Sequence, residues 1–134
     1  MALFLVIRRM RAQGPGEPVD LPSLYVLQTV MVNPGIRVSE LAGSIGLDSS
    51  TVSRHINNLE KAGYMTREAD LRDKRASCLR LTAEGSEILL DALRSRATLI
   101  ETAIKDWTSD DRRRLVELAV RFTADFEKTG PGPG

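Results

Sequence analysis

Two short strand-like segments, residues 64–68 and 77–81, stand close together in a chain whose other periodic segments have helical spacing. The loop between them, residues 69–76, is highly charged. One hairpin cannot form a hydrophobic core by itself, so the core must come mainly from helices. The chain has 134 residues, of which 42% are hydrophobic, and this is enough for one domain with its own core. The fold class that follows is mainly α with a small β-hairpin.

Helix start and stop signals divide the rest of the chain. Residues 1–12 are predicted to form a helix, and the glycines and prolines that follow end it. Asp20 and Pro22 mark the start of a second helix, which stops at the Asn-Pro-Gly sequence of residues 33–35. Two long amphipathic segments are predicted as helices after the hairpin: residues 82–106 and 109–128.

Two shorter helices are predicted just before the hairpin. Ser39 is a good N-cap for a helix over about 40–45, which Gly46 ends, and Asp48 can cap another over about 49–61. Three helices followed by a hairpin are the winged helix-turn-helix arrangement. We therefore divide the chain into an N-terminal helix and linker (1–20), a winged helix-turn-helix domain (21–81), C-terminal helices (82–129) and a disordered tail (130–134).

The helix over 49–61 has two faces of different chemistry. Its apolar face, with Val52, Ile56 and Leu59, is suited to packing on a core. The opposite face carries hydroxyls, amides and two cations but no acid: Ser50, Arg54, Asn57 and Lys61, flanked by Thr51, Ser53 and Asn58. An ordinary solvated face usually mixes acids with bases. Arginine, asparagine and serine are instead side chains that read base edges, and the major groove of duplex DNA admits one helix.

The charged loop contains three cations, Arg72, Lys74 and Arg75, and two acids, Asp70 and Asp73. The net charge of the chain is only +1, so any nucleic-acid footprint must be local, and residues 51–80 do carry seven Lys and Arg against four Asp and Glu. Taken alone, the loop fits an ordinary solvated hairpin equally well. Beside the helix described above, its cations favour contact with a phosphate backbone or minor groove, and the acids can hold the loop in one shape by pairing with its arginines.

The single histidine and the single cysteine exclude several kinds of site. They cannot form a closed zinc site or an internal disulfide, and the chain has no glycine-rich phosphate loop, so we expect neither an enzyme nor a cofactor. His55 lies beside the apolar face and is interpreted as a packed side chain rather than a DNA contact. Cys78 is interpreted as a packing residue, with a redox sensor as the alternative. A reducing cytoplasm fits this composition.

Four sequence motifs, in order, resemble the MarR family of regulators. They are the segment 50–64, which looks like that family's recognition helix; Asp-Leu-Arg-Asp-Lys-Arg at 70–75, which matches its wing; Leu-Thr-Ala-Glu-Gly at 81–85; and Ser-Glu-Leu-Ala at 39–42. The resemblance covers about residues 20–128 and is specific because all four occur at the family's spacing.

The resemblance implies a dimeric winged helix protein whose recognition helices enter successive major grooves. The residues that would face the groove are Ser50, Thr51, Ser53, Arg54 and Asn57. Arg72 and Arg75, with Lys74, would lie on the wing, and Asp70 would orient a wing arginine. The resemblance also implies a small-molecule effector, often aromatic, anionic or lipophilic. Its candidate pocket residues, each interpreted here as ordinary core, are Tyr25, Met31 and Trp107.

Apolar stripes on the outer helices predict a homodimer. The stripes lie at Leu3–Ile7, along the helix over 82–106 from Leu89 to Trp107 with Arg96 as an interruption, and along the last helix from Leu115 to Phe126. A compact winged helix cannot bury all of them, so we assign 1–20 and 82–129 to dimerisation; packing of the three helices within one chain is the alternative. The N-terminal stripe is too short to span a bilayer, so no membrane is expected.

The function predicted from these features is sequence-specific binding of a pseudo-palindromic operator in double-stranded DNA by a homodimeric transcription regulator. We expect it to act as a repressor that a small ligand or a modification releases. The alternative is a winged helix that binds proteins and has no DNA sequence specificity. Loss of binding with rising salt, together with sequence preference, would distinguish the two.

Overall fold

The computed structural model describes residues 1–12 and 16–129, which form helices and one two-stranded antiparallel sheet. The elements, in chain order, are α1 (Ala2–Arg11), α2 (Leu21–Val32), α3 (Val38–Ile45), α4 (Ser49–Lys61), β1 (Met65–Ala69), β2 (Ser77–Leu81), α5 (Ala83–Ala103) and α6 (Ser109–Glu127). The predicted fold class, a mainly helical winged helix with one hairpin, is confirmed. The tail predicted as disordered, residues 130–134, lies outside the described residues.

The helix starts show which capping predictions were correct. Asp20 accepts the backbone N–H of Ser23 at 2.9 Å, and Asp48 accepts that of Thr51 at 2.9 Å, so the predicted helix start at Asp20 and the predicted cap at Asp48 are both confirmed. The prediction for Ser39 was wrong, because α3 begins earlier, at Val38. Glu40 reaches back to accept the backbone N–H of Arg37 at 3.0 Å, and this bond places the helix start before Ser39.

The hydrophobic core lies where α2, α3, α4 and the hairpin meet, and the first half of α5 adds Leu89 to it. Its fully buried side chains are Val26, Leu27, Val30, Leu41, Val52, Ile56, Leu59, Leu79 and Leu89. Burying one such side chain contributes about 1.5–3 kcal/mol to folding, so this cluster is the main source of stability of the winged helix.

The hairpin is joined to the rest of the domain along β2. Leu79 donates its N–H to the carbonyl of Ile36, and its own carbonyl accepts the N–H of Gly35, each at 3.0 Å. Arg37 forms an isolated antiparallel bridge with Cys78. The segment just before α3 therefore pairs with β2 and holds the hairpin against the helices.

The start of α5 is packed tightly against the start of β1. Thr82 donates its hydroxyl to the carbonyl of Gly63 at 2.7 Å and accepts the N–H of Gly85 at 3.0 Å. A Cβ atom on Gly85 would lie 1.9 Å from the carbonyl oxygen of Tyr64, so no other residue fits there without a backbone shift. The Leu-Thr-Ala-Glu-Gly motif thus has a physical explanation: its threonine caps α5, and its glycine lets the helix touch the hairpin.

The chain forms two compact units, Met1–Arg96 and the residues from Ala97 onward, with α5 running through the boundary. The core described above belongs to the first unit and includes Val19 and Leu89, which lie outside the predicted limits 21–81. In the second unit, Thr108 caps α6 by accepting the N–H of Asp111 at 3.1 Å. Of the residues that the structure describes, none belongs to a helix long and apolar enough to cross a membrane.

Candidate nucleic-acid interface

Helix α4 divides into a buried and an exposed face, as its sequence pattern predicts. Val52, Ile56 and Leu59 are buried, and on the other side of the helix Ser50, Arg54 and Asn57 are exposed, with Thr51 and Ser53 half-buried. The structure therefore places all five predicted groove residues where a ligand can reach them. Their contact with DNA stays a prediction.

The hydroxyls at the start of α4 are oriented by Asp48. Both Ser50 and Thr51 donate their hydroxyl hydrogens to its carboxylate, and Thr51 adds its backbone N–H. These bonds, that from Ser50 first, hold the pKa of Asp48 far below its usual range. Because the hydroxyl hydrogens are used inside the protein, Ser50 and Thr51 present lone pairs, and they are suited to accept hydrogen bonds from a base or sugar.

His55 is packed into the domain, which confirms its interpretation as a packing residue. It is buried, and its Nδ1 lies 3.0 Å from the hydroxyl oxygen of Ser23 on α2. The same nitrogen lies 3.9 Å from Asp20, the N-cap of α2. This contact fixes α4 against α2 and leaves the neighbouring Arg54 exposed.

The side chain of Asn57 has a partner that sequence analysis missed. Arg67, on β1, donates from Nη2 to Oδ1 of Asn57 at 3.2 Å. The same guanidinium binds both carboxylate oxygens of Glu60 on α4, at 3.2 and 2.9 Å. In the sequence, Arg67 was only one of the seven basic residues of 51–80. No local pattern indicates that a side chain on a strand will contact the preceding helix.

The wing loop is held in shape by two aspartates acting on its backbone. Asp70 accepts the backbone N–H of Arg72 at 2.8 Å, and Asp73 accepts that of Arg75 at 3.0 Å. The side chains of the two arginines and of Lys74 are exposed, and within the described residues no carboxylate forms an ion pair with them. The loop is thus a turn whose backbone is bound by two aspartate side chains and which presents three cations.

The predicted role of Asp70 needs a correction. We expected it to pair with the side chain of a wing arginine, but the guanidinium it binds belongs to Arg37, at the start of α3, with Nε and Nη2 both 2.7 Å from Oδ2. The bridge between Arg37 and Cys78 brings that arginine to the base of the wing. Asp70 acts on Arg72 through the backbone only. The Arg72 N–H, with Arg37, lowers the pKa of Asp70 although burial works in the opposite direction.

Comparisons with known proteins identify the family. Residues 19–77 match the MarR family. The transcriptional repressor MprA of Escherichia coli is 31% identical over 90% of this chain and 68% of its own length. The chain belongs to the MarR family. The named relatives are regulators, which supports the prediction of a regulator rather than an enzyme.

Two solved structures have the same fold as this chain. A crystal structure of MarR superposes with a TM-score of 0.81 at 24% identity and covers 96% of both chains. The PcaV regulator of Streptomyces coelicolor, solved with its natural ligand, gives a TM-score of 0.63 at 26% identity over 92% of this chain and 84% of its own. The chain spans about half the length of the first curated relatives that it matches.

Cys78 of this MarR-family chain sits in a setting that favours the thiol. Burial, with the nearby Asp70, raises the pKa of Cys78 above its usual value. Oxidant sensing requires the thiolate, so this environment favours the packing interpretation over the redox alternative.

A cleft of about 500 Å³ separates the wing from the first turns of α3 and α4. Three arginines line it, Arg37, Arg67 and Arg75, together with hydroxyl side chains that include Ser39 and Ser53. Arg37 and Arg67 are already paired with Asp70 and Glu60, so Arg75 and the hydroxyl groups are the donors suited to a phosphate oxygen here. The cleft therefore continues the cationic surface of the wing toward the exposed face of α4.

Proposed function

We propose that this protein is a cytoplasmic transcription repressor that binds a pseudo-palindromic operator as a homodimer and is released by a small ligand or a modification. The observation that carries the proposal is that the exposed face of α4 carries base-reading side chains and that a cationic wing, whose backbone two aspartates bind, lies in the same domain.

The exposed face of α4 offers a mixture of donors and acceptors suited to base edges. Arg54 can donate to guanine, and the hydroxyls of Ser50 and Thr51, already bonded to Asp48, can accept. Such a combination distinguishes base pairs in the major groove. A protein-binding winged helix would have little use for this face.

The wing cations are suited to the DNA backbone. Arg72, Lys74 and Arg75 project from a loop whose backbone Asp70 and Asp73 fix. A loop that is already ordered loses little conformational entropy when it binds, so its cations can contact phosphates or a minor groove at low cost.

A second copy of the chain is the proposed partner of the outer helices. In α1 the side chains from Leu3 to Ile7 are exposed, and in α6 Leu118 and Phe122 remain 61% and 56% exposed. Apolar surface of this extent is typical of an interface that a partner covers. A two-fold dimer would also present two copies of α4 to two half-sites.

Repression and release by a ligand have support from relatives. MprA is named as a transcriptional repressor, and PcaV was solved with its natural ligand. We propose that an effector bound by this chain changes the separation of the two copies of α4. Coupling of this kind is typically about 1–3 kcal/mol.

The test is selection of random duplexes by the purified protein at moderate salt, followed by sequencing. We expect an inverted repeat with half-sites about 10 base pairs apart. Arg54→Ala should then cost about 1–3 kcal/mol and relax base preference, whereas Arg75→Ala should weaken all sequences evenly and reduce the salt dependence. Selection of no sequence would favour the protein-binding alternative.

A further inference from the structure

We propose that Arg67 is a positioning residue for base recognition. It holds the side-chain amide of Asn57 in one orientation, so that Asn57 presents N–H donors to the DNA and reads a guanine edge. This inference rests on the proposed function, since it assumes that α4 enters a major groove.

Arg67 is anchored before it reaches Asn57. It lies on β1 opposite Leu79, which is fully buried, so the two residues share the sheet face that packs on the domain. Its guanidinium binds Glu60 through two separate donors, Nε and Nη2. A two-point contact between planar groups fixes the direction of the guanidinium as well as its position.

The anchored guanidinium selects one of the two amide orientations of Asn57. Glu60 and Asn57 are three residues apart on α4, so they lie on one side of the helix. Nη2 of Arg67 donates to Oδ1 of Asn57 at 3.2 Å. A flipped amide would turn its NH₂ group toward the cation, where two sets of donors would face each other. The amide oxygen is therefore held toward Arg67.

This orientation changes which base Asn57 can read. A free asparagine pairs best with adenine, since it accepts from N6 and donates to N7. With Oδ1 turned toward Arg67, the opposite end of the amide, the Nδ2 NH₂ group, is the one directed at the DNA, and it has two donors and no acceptor. In the major groove guanine presents two acceptors, N7 and O6. Asn57 should therefore prefer guanine, and releasing its amide from Arg67 should restore the preference for adenine.

Arg67 is not expected to contact a phosphate itself. Its charge is balanced by Glu60, and its donors are directed at that carboxylate and at Asn57. An arginine bound to DNA backbone would weaken all sequences on removal and reduce the salt dependence of binding. A positioning arginine would change the preference at one base pair.

The experiment compares Arg67→Met with Arg80→Met. Methionine keeps much of the length of the stem but has no donor, and Arg80, on β2, makes a similar exposed ion pair with Glu68, at 3.1 Å, away from α4. For the wild type and both variants, affinity is measured on duplexes with every base at each half-site position, over a salt series. Asn57→Ala identifies the position that Asn57 reads.

We expect Arg67→Met to shift the guanine-to-adenine preference at that one position by about tenfold, with the other positions unchanged. Arg80→Met should leave the whole profile unchanged, and Arg67→Met combined with Asn57→Ala should match Asn57→Ala alone. Arg67→Lys keeps the charge but cannot hold Glu60 and the amide together, so it should shift the same position. In the free protein, the Asn57 amide signals should report one orientation, which is lost in Arg67→Met.

An unchanged profile in Arg67→Met, or an equal loss on every sequence, would overturn the inference. The thermal midpoint of each variant shows whether it is folded, and Arg67→Lys serves if methionine is not tolerated. If the wild type itself selects no sequence, the proposed function fails; if it selects one and Arg67→Met keeps its guanine preference, only the role of Arg67 fails.

Discussion

The winged helix core of the first unit and helix α6 of the second differ in the burial of their apolar side chains. In the first unit Leu27, Leu41 and Leu79 are fully buried within the chain itself. In the second, every residue of α6 whose burial is described is exposed, and even the ring pair of Phe122 and Phe126, 5.6 Å apart, is open to solvent. An apolar stripe on a helix thus indicates that this face of the helix will be covered, but it does not indicate whether the same chain or another one covers it.

The largest expected effect is the difference in stability between a core substitution and a surface substitution on the same helix, α2. Leu27→Ala should lower the free energy of unfolding by about 4 kcal/mol, because it leaves a cavity among fully buried neighbours. Val32→Ala, at an exposed position of the same helix, should change it by less than about 0.5 kcal/mol. Urea unfolding measures both, and equal losses would mean that the core lies elsewhere.

A smaller effect tests the buried ion pair between Glu17 and Arg96, whose side chains are only 11% and 10% exposed. Glu17→Gln removes the charge that balances a buried guanidinium, so it should cost about 3 kcal/mol of stability. Asp91→Asn breaks the pair between Asp91 and Arg94, whose side chains are both 74% exposed, and should cost less than about 0.5 kcal/mol. Thermal unfolding measures both losses of stability, and similar losses in Glu17→Gln and Asp91→Asn would contradict the assignment of a buried pair.

The exposed helix α6 is tested by measuring association between copies of the chain rather than the stability of the fold. Leu118→Asp should raise the dissociation constant of the proposed dimer about 100-fold, or about 2.7 kcal/mol, since a carboxylate would have to enter an apolar interface. The control substitution at the neighbouring position, Glu117→Ala, should leave the dissociation constant nearly unchanged. Sedimentation at several concentrations gives the constants, and an undisturbed dimer would show that α6 packs within its own chain.

The smallest effect concerns the wing. The pKa of Asp70 is lowered in the folded protein, so its stabilising contribution is present above the unfolded value near 3.8 and is lost as the pH falls through the lower folded value. The amide proton of Arg72, which bonds to this carboxylate, should therefore keep its chemical shift until the pH is below about 3.8. A midpoint above that value, or the same titration in Asp70→Asn, would disprove the contact.

Local features of the sequence predicted most of the fold. Asp20 and Asp48 could be assigned as caps because a capping side chain bonds within three residues of itself. The faces of α4 followed from helical periodicity, and His55 fell correctly on the packed side. Each of these predictions needs only the residues of one element.

The contacts that join separate elements, in the candidate site and elsewhere, were not predictable in this way. Arg37 and Asp70 are 33 residues apart, and Glu17 and Arg96 are 79 apart. Such pairs depend on how elements pack, and many other arginines could have met the same acids. Arg96 accordingly looked like an interruption of a stripe, although it is buried and paired.

The close contact at Gly85 gives α5 the properties of a lever. Its first turn has no space to slide against Tyr64, so a tilt of the helix must carry the base of the wing with it. The part of α5 that lies in the first unit, residues 83–96, is about 21 Å long, so a tilt of about 5° moves one end of that part by almost 2 Å relative to the other. A displacement of that size is more than half the length of a hydrogen bond, so under the proposed function a small tilt of α5 would be enough to make or break a contact between a wing arginine and a phosphate.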